Sequence, residues 1–189
     1  MATVVITAPP AGEPVSLAAA KAFCRVDQSL EDDLISGLVT AARLRVEQAM
    51  GLCLLTTGVS EWRDVWRPAS GRGSLRLARG PLQSVTTVAI ADSQRVFHTL
   101  DPAYYAPLPG SWPSEVGATP LAIVQPTARS AGLRIDYVAG FGDTADTVPQ
   151  TLKLAILALV AHAYSHRDEA EPPLSAAEPW LSAFRRVQL

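Results

Sequence analysis

The sequence lacks several features that define common classes of protein. Its 189 residues contain two cysteines, Cys24 and Cys53, and no CxxC pair. Two thiols in a chain of this length favour a reducing compartment over a disulfide framework, and we expect both to behave as small buried hydrophobic side chains.

Basic excess is also lacking, because 16 Lys and Arg stand against 18 Asp and Glu, for a formal net charge of −2. This balance disfavours a protein whose affinity depends on neutralising DNA phosphates.

Long apolar runs are also missing. Residues 1–14 have no basic segment and too short an apolar run for a signal peptide, so we expect the protein to stay in the compartment where it is made. The most apolar stretch, Leu152 to Tyr164, is shorter than the roughly 20 residues that span a bilayer, and it contains Lys153 and His162. We expect a buried helix there.

What the sequence does contain is typical of a globular chain with long connections. Apolar residues make up 48% and charged residues 18%, with 15 prolines and 12 glycines. A chain of this length can bury a core without metal or disulfides, and it shows no internal repeat.

Two helices are predicted before residue 54. Ser16 can accept a backbone N–H at the start of a helix over residues 17–23. A longer helix is predicted from Ser29 to about Met50, with Gly51 ending it in a left-handed conformation. Its predicted buried stripe comprises Leu34, Ile35, Leu38, Val39, Ala42, Val46 and Ala49, and its predicted polar face comprises Asp32, Ser36, Thr40, Arg43 and Glu47.

The pattern from residue 54 to 140 changes to short β segments separated by Pro and Gly. Residues 84–91 and 95–100 are predicted to form a hairpin that turns near Asp92. Residues 107–120 contain four prolines, so they are predicted to be an extended surface loop around Trp112. A final helix is then predicted to run to about His166, with Thr147 as its N-cap.

These elements predict an α+β fold: a small bundle of three main helices with an inserted antiparallel β region and an extended C-terminal tail. The predicted domain division is an N-terminal helical part at 1–53, a β-rich insertion at 54–146, a helix completing the bundle at 147–168, and the tail at 169–189.

The sequence predicts no catalytic, cofactor-binding or metal-binding residues. His162 and His166 have the i, i+4 spacing of zinc ligands, but Ala163 stands where a zinc protease needs its general-base glutamate. We therefore expect a buried, hydrogen-bonded His162 and a solvated His166, with a His-dependent metalloenzyme as a weaker alternative. His98 is predicted to lie on a strand surface. The glycines of the segment 140–143 lack the pattern of a phosphate-binding loop, so they indicate a turn.

Two groups of aromatic and arginine side chains could bind partners. Trp62 and Trp66 alternate with Arg63 and Arg67, which is either a stacking platform for single-stranded nucleic acid or, as we favour, a cluster covering the end of a strand. The tail combines aromatic, apolar and arginine residues beyond a Pro-rich segment, so we predict that it binds a partner. These tail residues are Trp180, Leu181, Phe184, Arg185, Arg186 and Leu189.

Three blocks of the sequence resemble the phage head–tail connector family, which includes the adaptor proteins of prophages and gene transfer agents. They are residues 14–51, with PVSLAAAKAFCRVD and LEDDLISGLVTAARLRVEQAMG; residues 80–88, GPLQSVTTV; and residues 133–168, with LRIDYVAGFGDTADTVPQTLKLAILALVAHAYSHRD. The order and spacing of the blocks agree over nearly the whole chain.

The resemblance implies a virion structural protein that is not an enzyme and needs no cofactor. It would be made in the bacterial cytoplasm and form a homo-oligomeric ring, usually of twelve, in the neck of a particle. Its partners would be further copies of itself, the portal protein, which the C-terminal tail would reach, and a stopper or other tail-side neck protein. DNA would only pass through the lumen, which suits a chain without basic excess. The alternative function is a small nucleic-acid-binding factor built on Trp62 and Trp66.

Overall fold

The computed structural model describes residues 3–64, 74–108, 114–118, 132–168 and 172–184. The chain divides into two compact units. Residues 1–9 and 56–140 form one, here called the β unit, and residues 10–55 and 141–189 form the other, the helical unit. The predicted α+β class is confirmed.

The described residues of the helical unit form three longer helices, a short fourth helix and three 3-10 turns. The helices are α1 (Leu17–Cys24), α2 (Asp32–Met50), α3 (Gln150–Ser165) and α4 (Glu178–Leu181), and the 3-10 turns are Ala145–Thr147, Leu174–Ala177 and Ser182–Phe184. No described helix is both long enough and apolar enough to cross a membrane.

Two predicted helix ends are confirmed. The hydroxyl of Ser16 accepts a hydrogen bond from the backbone N–H of Ala19 at 3.2 Å, which caps α1. Gly51 has φ 65° and donates its N–H to the carbonyl of Glu47, which ends α2. Gly51 therefore ends the helix in a conformation that costs other residues more.

Two predicted helix starts are wrong. Ser29 lies in a turn, where its carbonyl accepts the N–H of Asp32 at 3.2 Å, and α2 begins only at Asp32. Thr147 lies in the 3-10 turn before α3, because its hydroxyl donates to the carbonyl of Thr144 at 2.7 Å instead of capping a helix. Pro149 occupies the N-cap position of α3 instead.

The buried face of α2 is rotated from the predicted one. Leu34 and Ala49, predicted to be buried, are exposed, whereas Arg43 and Glu47, predicted to face solvent, are buried. The two charged side chains can be buried because they form an ion pair with each other, and Arg43 also pairs with Glu13.

The core of the helical unit is apolar and is built mainly from α2 and α3. From α2 it takes Ile35, Val39, Ala42, Val46 and Met50, and from α3 it takes Leu152, Ala155, Ile156, Leu157, Leu159 and Val160. The loop residues Leu52, Leu54 and Leu55 join the same cluster. Burial of α3 over most of its surface agrees with its nearly continuous apolar sequence.

The strands described in the β unit form two antiparallel sheets. The five-stranded sheet has the order β1-β2-β8-β4-β5, and the three-stranded sheet has the order β3-β7-β6. The strands are β1 (Thr3–Ala8), β2 (Thr57–Arg63), β3 (Ser74–Arg76), β4 (Leu82–Ala91), β5 (Phe97–Thr99), β6 (Tyr105–Leu108), β7 (Glu115–Ala118) and β8 (Gly132–Ala139).

Strand β1 differs from the sequence prediction, which placed residues 1–53 in a helical part. Its residues pair with β2, with Val5 opposite Ser60 and Ile6 opposite Val59. The segment TVVITA is rich in β-branched residues, which favour an extended strand, and the strand it pairs with lies some fifty residues away in the sequence.

The predicted hairpin is confirmed. Strands β4 and β5 are antiparallel, with Ala89 opposite Thr99. The carboxylate of Asp92 organises the turn, because its Oδ1 accepts the backbone N–H groups of Gln94 at 2.8 Å and Val96 at 2.9 Å.

The predicted extended loop at residues 107–120 is wrong at both of its ends. Pro107 and Leu108 belong to β6, and residues 115–118 form β7, the central strand of the smaller sheet. Pro107 is tolerated because β6 is at the edge of this sheet among the described strands. Trp112, the centre of the predicted loop, lies outside the described residues.

Candidate interaction surfaces

The C-terminal segment is folded onto the helical unit as far as the structure describes it. Leu181 is 1% exposed within the core cluster, and Trp180 and Phe184 pack against that cluster and are partly buried. Residues 174–184 thus form short helical turns where the sequence predicted a tether and a partner-binding terminus. Arg185, Arg186 and Leu189 lie outside the described residues.

Several large apolar side chains are instead exposed elsewhere. In the helical unit they are Phe23, Leu30, Leu34 and Leu44, and in the β unit they are Val5, Ile6, Trp62, Val96 and Leu108. Leu30, in the loop before α2, is 89% exposed, and Leu44 is 53% exposed. Single exposed apolar residues are ordinary, so only those that share one face have significance.

One such set lies along α2. Leu34, Gly37, Ala41, Leu44 and Gln48 are all exposed, and their spacing of three and four residues places them on one line of a helix with 3.6 residues per turn. We call this set the outer face of α2. It lies opposite the buried residues Ile35, Val39 and Val46, and it carries no charge.

Sequence reasoning missed this surface because α2 is apolar on two sides. The predicted stripe joins Leu34 to Ile35 and Val39. Leu34 in fact lies in line with Gly37, Ala41 and Leu44 along the helix. The 34, 37, 41, 44, 48 series could have been found as a second apolar line.

A buried charge network holds α2 in its orientation. Arg43 donates from Nε to Glu13 Oε2 at 2.7 Å and from Nη1 to Glu47 Oε2 at 3.0 Å. The other oxygen of Glu47 accepts the backbone N–H of Leu54 at 2.9 Å. Thr40 also donates to Glu13 at 2.9 Å. These bonds tie the segments before and after α2 to one of its sides and leave the outer face open.

A second polar cluster joins the start of α2 to the end of α3. Tyr164 donates its hydroxyl to Glu31, and Arg167 donates from Nη2 to Glu31 Oε1 at 2.8 Å. The hydrogen bond from Tyr164, followed by that from Arg167, lowers the pKa of the Glu31 carboxyl. The cluster fixes the loop that carries the exposed Leu30.

The aromatic and arginine side chains of β2 make contacts within the β unit. Trp62 packs edge to face on Phe97 with ring centroids 5.2 Å apart, and the guanidinium of Arg134 lies 5.5 Å from the Trp62 centroid. Arg63 pairs with the buried Glu61 and donates to the carbonyl of Arg76. Trp66 and Arg67, the other half of the predicted stacking platform, lie outside the described residues.

His166 is exposed, as predicted, whereas His162, predicted to be buried, is only partly buried. The rings of His162 and His166 stack with centroids 4.3 Å apart, and Nδ1 of His166 lies 3.0 Å from the carbonyl oxygen of His162. His98 lies on β5 as predicted, 2.9 Å from Asp92, and its hydrogen bond lowers the pKa of the Asp92 carboxyl. Within the described ranges, no three histidine, cysteine or acidic side chains are grouped as a metal site would require.

The remaining candidate groups are also accounted for by local structure. Gly142 has φ 154°, and a Cβ there would lie 2.7 Å from Thr147, so the segment 140–143 turns tightly against protein. Neither cysteine forms a disulfide; Cys53 is buried, and burial raises the pKa of the half-buried Cys24 thiol. Asp32 pairs with Lys21 at 2.5 Å.

No protein-family model and no curated protein matches this sequence. Solved structures do match in fold. A chain in the structure of the neck of an empty GTA particle, computed with C6 symmetry, superposes with a TM-score of 0.81 at 20% identity, covering 99% of this chain and 97% of that chain.

Two further structures give the same result. A chain of the virion of the native gene transfer agent (GTA) particle has a TM-score of 0.79 at 20% identity, covering 99% of this chain and 97% of that chain. A chain of the neck of the native GTA particle, computed with C12 symmetry, has a TM-score of 0.73 at 21% identity, covering 100% of this chain and 97% of that chain. The protein therefore has, over its whole length, the fold of chains found in gene transfer agent particles.

Proposed function

We propose that this chain is a structural head-to-tail adaptor subunit of a tailed phage or of a phage-like gene transfer agent particle. Copies of the chain form a ring in the particle neck, between the portal and the tail-side neck components, and packaged DNA passes through the lumen. The observation that carries the proposal is the TM-score of 0.81 with a chain of a GTA neck over 99% of this chain.

The symmetry of the similar structures supports a ring. The two neck structures were computed with C6 and C12 symmetry. A cyclic assembly repeats one heterologous contact between identical subunits until the ring closes. A ring of twelve copies satisfies both symmetries, and we propose that number for this chain.

The charge of the chain supports a lumen that does not retain DNA. Its formal net charge is −2, so it offers no excess of cations to neutralise phosphates. In the β unit, Arg134 lies over Trp62 and Phe97, and Arg63 is paired with Glu61, so these cations already have partners within the protein.

The use of the candidate groups supports a non-enzymatic role. Arg43 binds both Glu13 and Glu47, Asp92 organises a turn, and His162 stacks on His166. Each contact explains its residues through local structure, without a reaction.

We propose that the C-terminus contacts the portal through its last residues. Leu181 is buried, so its role is to hold the segment on the helical unit, while Trp180 and Phe184 remain partly accessible. The portal contact then falls to Trp180, Phe184 and the residues that follow, Arg185, Arg186 and Leu189, since aromatic and arginine side chains dominate interface energetics.

The test is genetic deletion in a bacterium that encodes the chain and produces particles. Loss of the chain is expected to leave filled heads and separate tails, and a plasmid copy is expected to restore joined particles and DNA transfer. Electron microscopy of complemented particles should show the chain as a symmetric collar below the portal. Normal yields of joined, transferring particles without the chain would overturn the proposal.

The portal contact needs a narrower variant. Deleting residues 176–189 would remove Ala177 and Leu181 from the core, so it could fail through unfolding. Deleting residues 185–189 spares the described core, and the truncated chain is expected to melt like the full chain yet fail to join heads to tails. Joining at normal yield would show that Arg185, Arg186 and Leu189 are not needed for the portal contact.

A further inference from the structure

The outer face of α2 differs from the outer face of an ordinary surface helix. A surface helix places polar and charged residues opposite its buried stripe. Here the line opposite the buried stripe carries Leu34, Gly37, Ala41, Leu44 and Gln48, all exposed, and Leu30, in the loop before the helix, has 89% of its surface exposed. Leu34 and Leu44 are ten residues apart, or about 15 Å along the axis.

Gly37 gives this face its shape. A Cβ at residue 37 would meet no atom within 4 Å, so nothing within the described chain requires a glycine there. A glycine in the middle of a helix is nevertheless destabilising relative to alanine. Gly37 and Ala41 form a shallow centre between Leu34 and Leu44, and such a surface admits a bulky side chain or a helix at close range.

The polar residues of α2 lie to one side of this face. Arg43 and Glu47 are buried in their ion pair, Thr40 is bonded to Glu13, and Asp32 is paired with Lys21. These four residues make contacts within the helical unit. The exposed Asp33 lies beside the outer face, whose own residues carry no charge. An apolar face fits an apolar partner surface, not a nucleic acid backbone or a charged peptide.

We propose that the outer face of α2, with Leu30, is the contact by which one copy of this chain docks on a second copy. This inference rests on the proposed ring and names the surface that closes it. In a cyclic assembly every copy has an identical neighbour on each side. The two similar neck structures were computed with cyclic symmetry, so a second copy is the occupant that each such face would meet.

A photo-crosslinking residue at position 44, in place of the exposed Leu44, tests the proposal in cells that make particles. Irradiation is expected to give a product of twice the mass of the chain. The same residue at position 96, in place of the exposed Val96 of the β unit, is the matched control and should give no such product. A product of any other mass at position 44, or none, would overturn the proposal.

The outcomes separate this inference from the proposed function. A doubled product from a chain that is absent from purified particles supports the contact and overturns the neck assignment. A chain present in particles without a doubled product at position 44 overturns the contact and leaves the neck assignment standing. If the chain is absent from particles and gives no doubled product, both the neck assignment and the contact through α2 are overturned.

Substitutions on α2 provide an independent measurement. Leu44→Glu is expected to reduce the doubled product, followed with a crosslinker at position 34, about tenfold or more, since a charge is placed in a desolvated contact. Ser36→Glu adds the same charge to the same helix away from the outer face and should have little effect. Equal losses in the two variants would contradict the proposal.

A substitution at Gly37 can separate the stability of the chain from its docking, because the two are expected to change in opposite directions. Gly37→Gln meets open space in the single chain and replaces glycine with a better helix former, so its melting temperature should stay the same or rise. The longer side chain fills the shallow centre, and the doubled product should fall at least as far as in Leu44→Glu. A stable variant that still crosslinks normally would show that nothing approaches α2 closely there.

Discussion

The two units of the molecule each bury a glutamate, and they surround it differently. In the β unit, Glu61 is 0% exposed and accepts hydrogen bonds from Arg63, from the hydroxyl of Tyr137 and from the backbone N–H of Ala78. In the helical unit, Glu47 is 8% exposed and is bound by Arg43 and by the backbone N–H of Leu54. Both carboxylates satisfy a backbone donor from a segment that leaves regular structure.

The difference lies in what surrounds each carboxylate. Glu61 sits inside a sheet, one residue from the buried Ser60 and directly opposite Ile135, so each of its hydrogen bonds replaces water that cannot reach it. Glu47 lies at the margin of an apolar core. The buried carboxylate of the β unit is thus bonded within a sheet, whereas that of the helical unit belongs to an ion pair near the end of α2.

The largest loss of unfolding free energy is expected when the buried carboxylate of Glu61 is removed. Glu61→Ala would leave Arg63, Tyr137 and the N–H of Ala78 without their shared acceptor, at a cost of about 3–5 kcal/mol of unfolding free energy. Urea unfolding followed by circular dichroism measures it. Asp136→Asn is the control, because the partly exposed Asp136 lies on the neighbouring strand and should cost far less. Equal losses of unfolding free energy in the two variants would mean that the burial of Glu61 does not add to its contribution to stability.

The helical unit should respond most to loss of apolar volume. Leu181→Ala removes a side chain that is 1% exposed in the core cluster, so a loss of about 2–4 kcal/mol is expected. Trp180→Ala, at a partly exposed neighbour, should cost less. If Leu181→Ala melts like the unchanged chain, the C-terminal segment is not part of the core, and the contrast between the two units weakens.

Leu181 also shows where sequence reasoning ends. Local chemistry correctly located the cap at Ser16, the left-handed Gly51 and the turn at Asp92, because each depends on atoms a few residues apart. Burial of Leu181 depends on α3, which local patterns cannot reveal. Strand β1 depends in the same way on β2, its distant partner.

The candidate surface could be predicted only in part. An apolar stripe on α2 was evident from its spacing, yet the buried side also carries Arg43, whose ion-pair partners are Glu13 and Glu47. One of those partners lies 30 residues away. Since the helix is apolar on two sides, periodicity alone could not decide between Ile35 and Leu34 as its buried residue.

An intermediate effect is expected at Glu47, and it completes the comparison with Glu61. Glu47→Gln keeps an acceptor for the N–H of Leu54 but removes the charge that faces Arg43. Arg43 retains Glu13, so the expected loss is about 1–3 kcal/mol, below that of Glu61→Ala. Chemical denaturation of the two variants side by side is the measurement. A larger loss for Glu47→Gln would reverse the contrast between the two units.

The smallest effect is expected at Glu31, a partly exposed carboxylate that tests whether a charge outside either core contributes to stability. Hydrogen bonds from Tyr164 and then Arg167 hold the pKa of Glu31 below its ordinary value in the folded chain. A carboxyl with a lowered folded pKa stabilises the fold at pH values above its unfolded pKa, about 4.3 for glutamate, and that stability disappears as the pH falls through the folded pKa. Glu31→Gln should therefore unfold at a lower urea concentration than the unchanged chain at pH 7, and the two midpoints should converge towards pH 3. If the difference between the two urea midpoints stays the same at pH 3, Glu31 contributes through hydrogen bonds that do not depend on its charge.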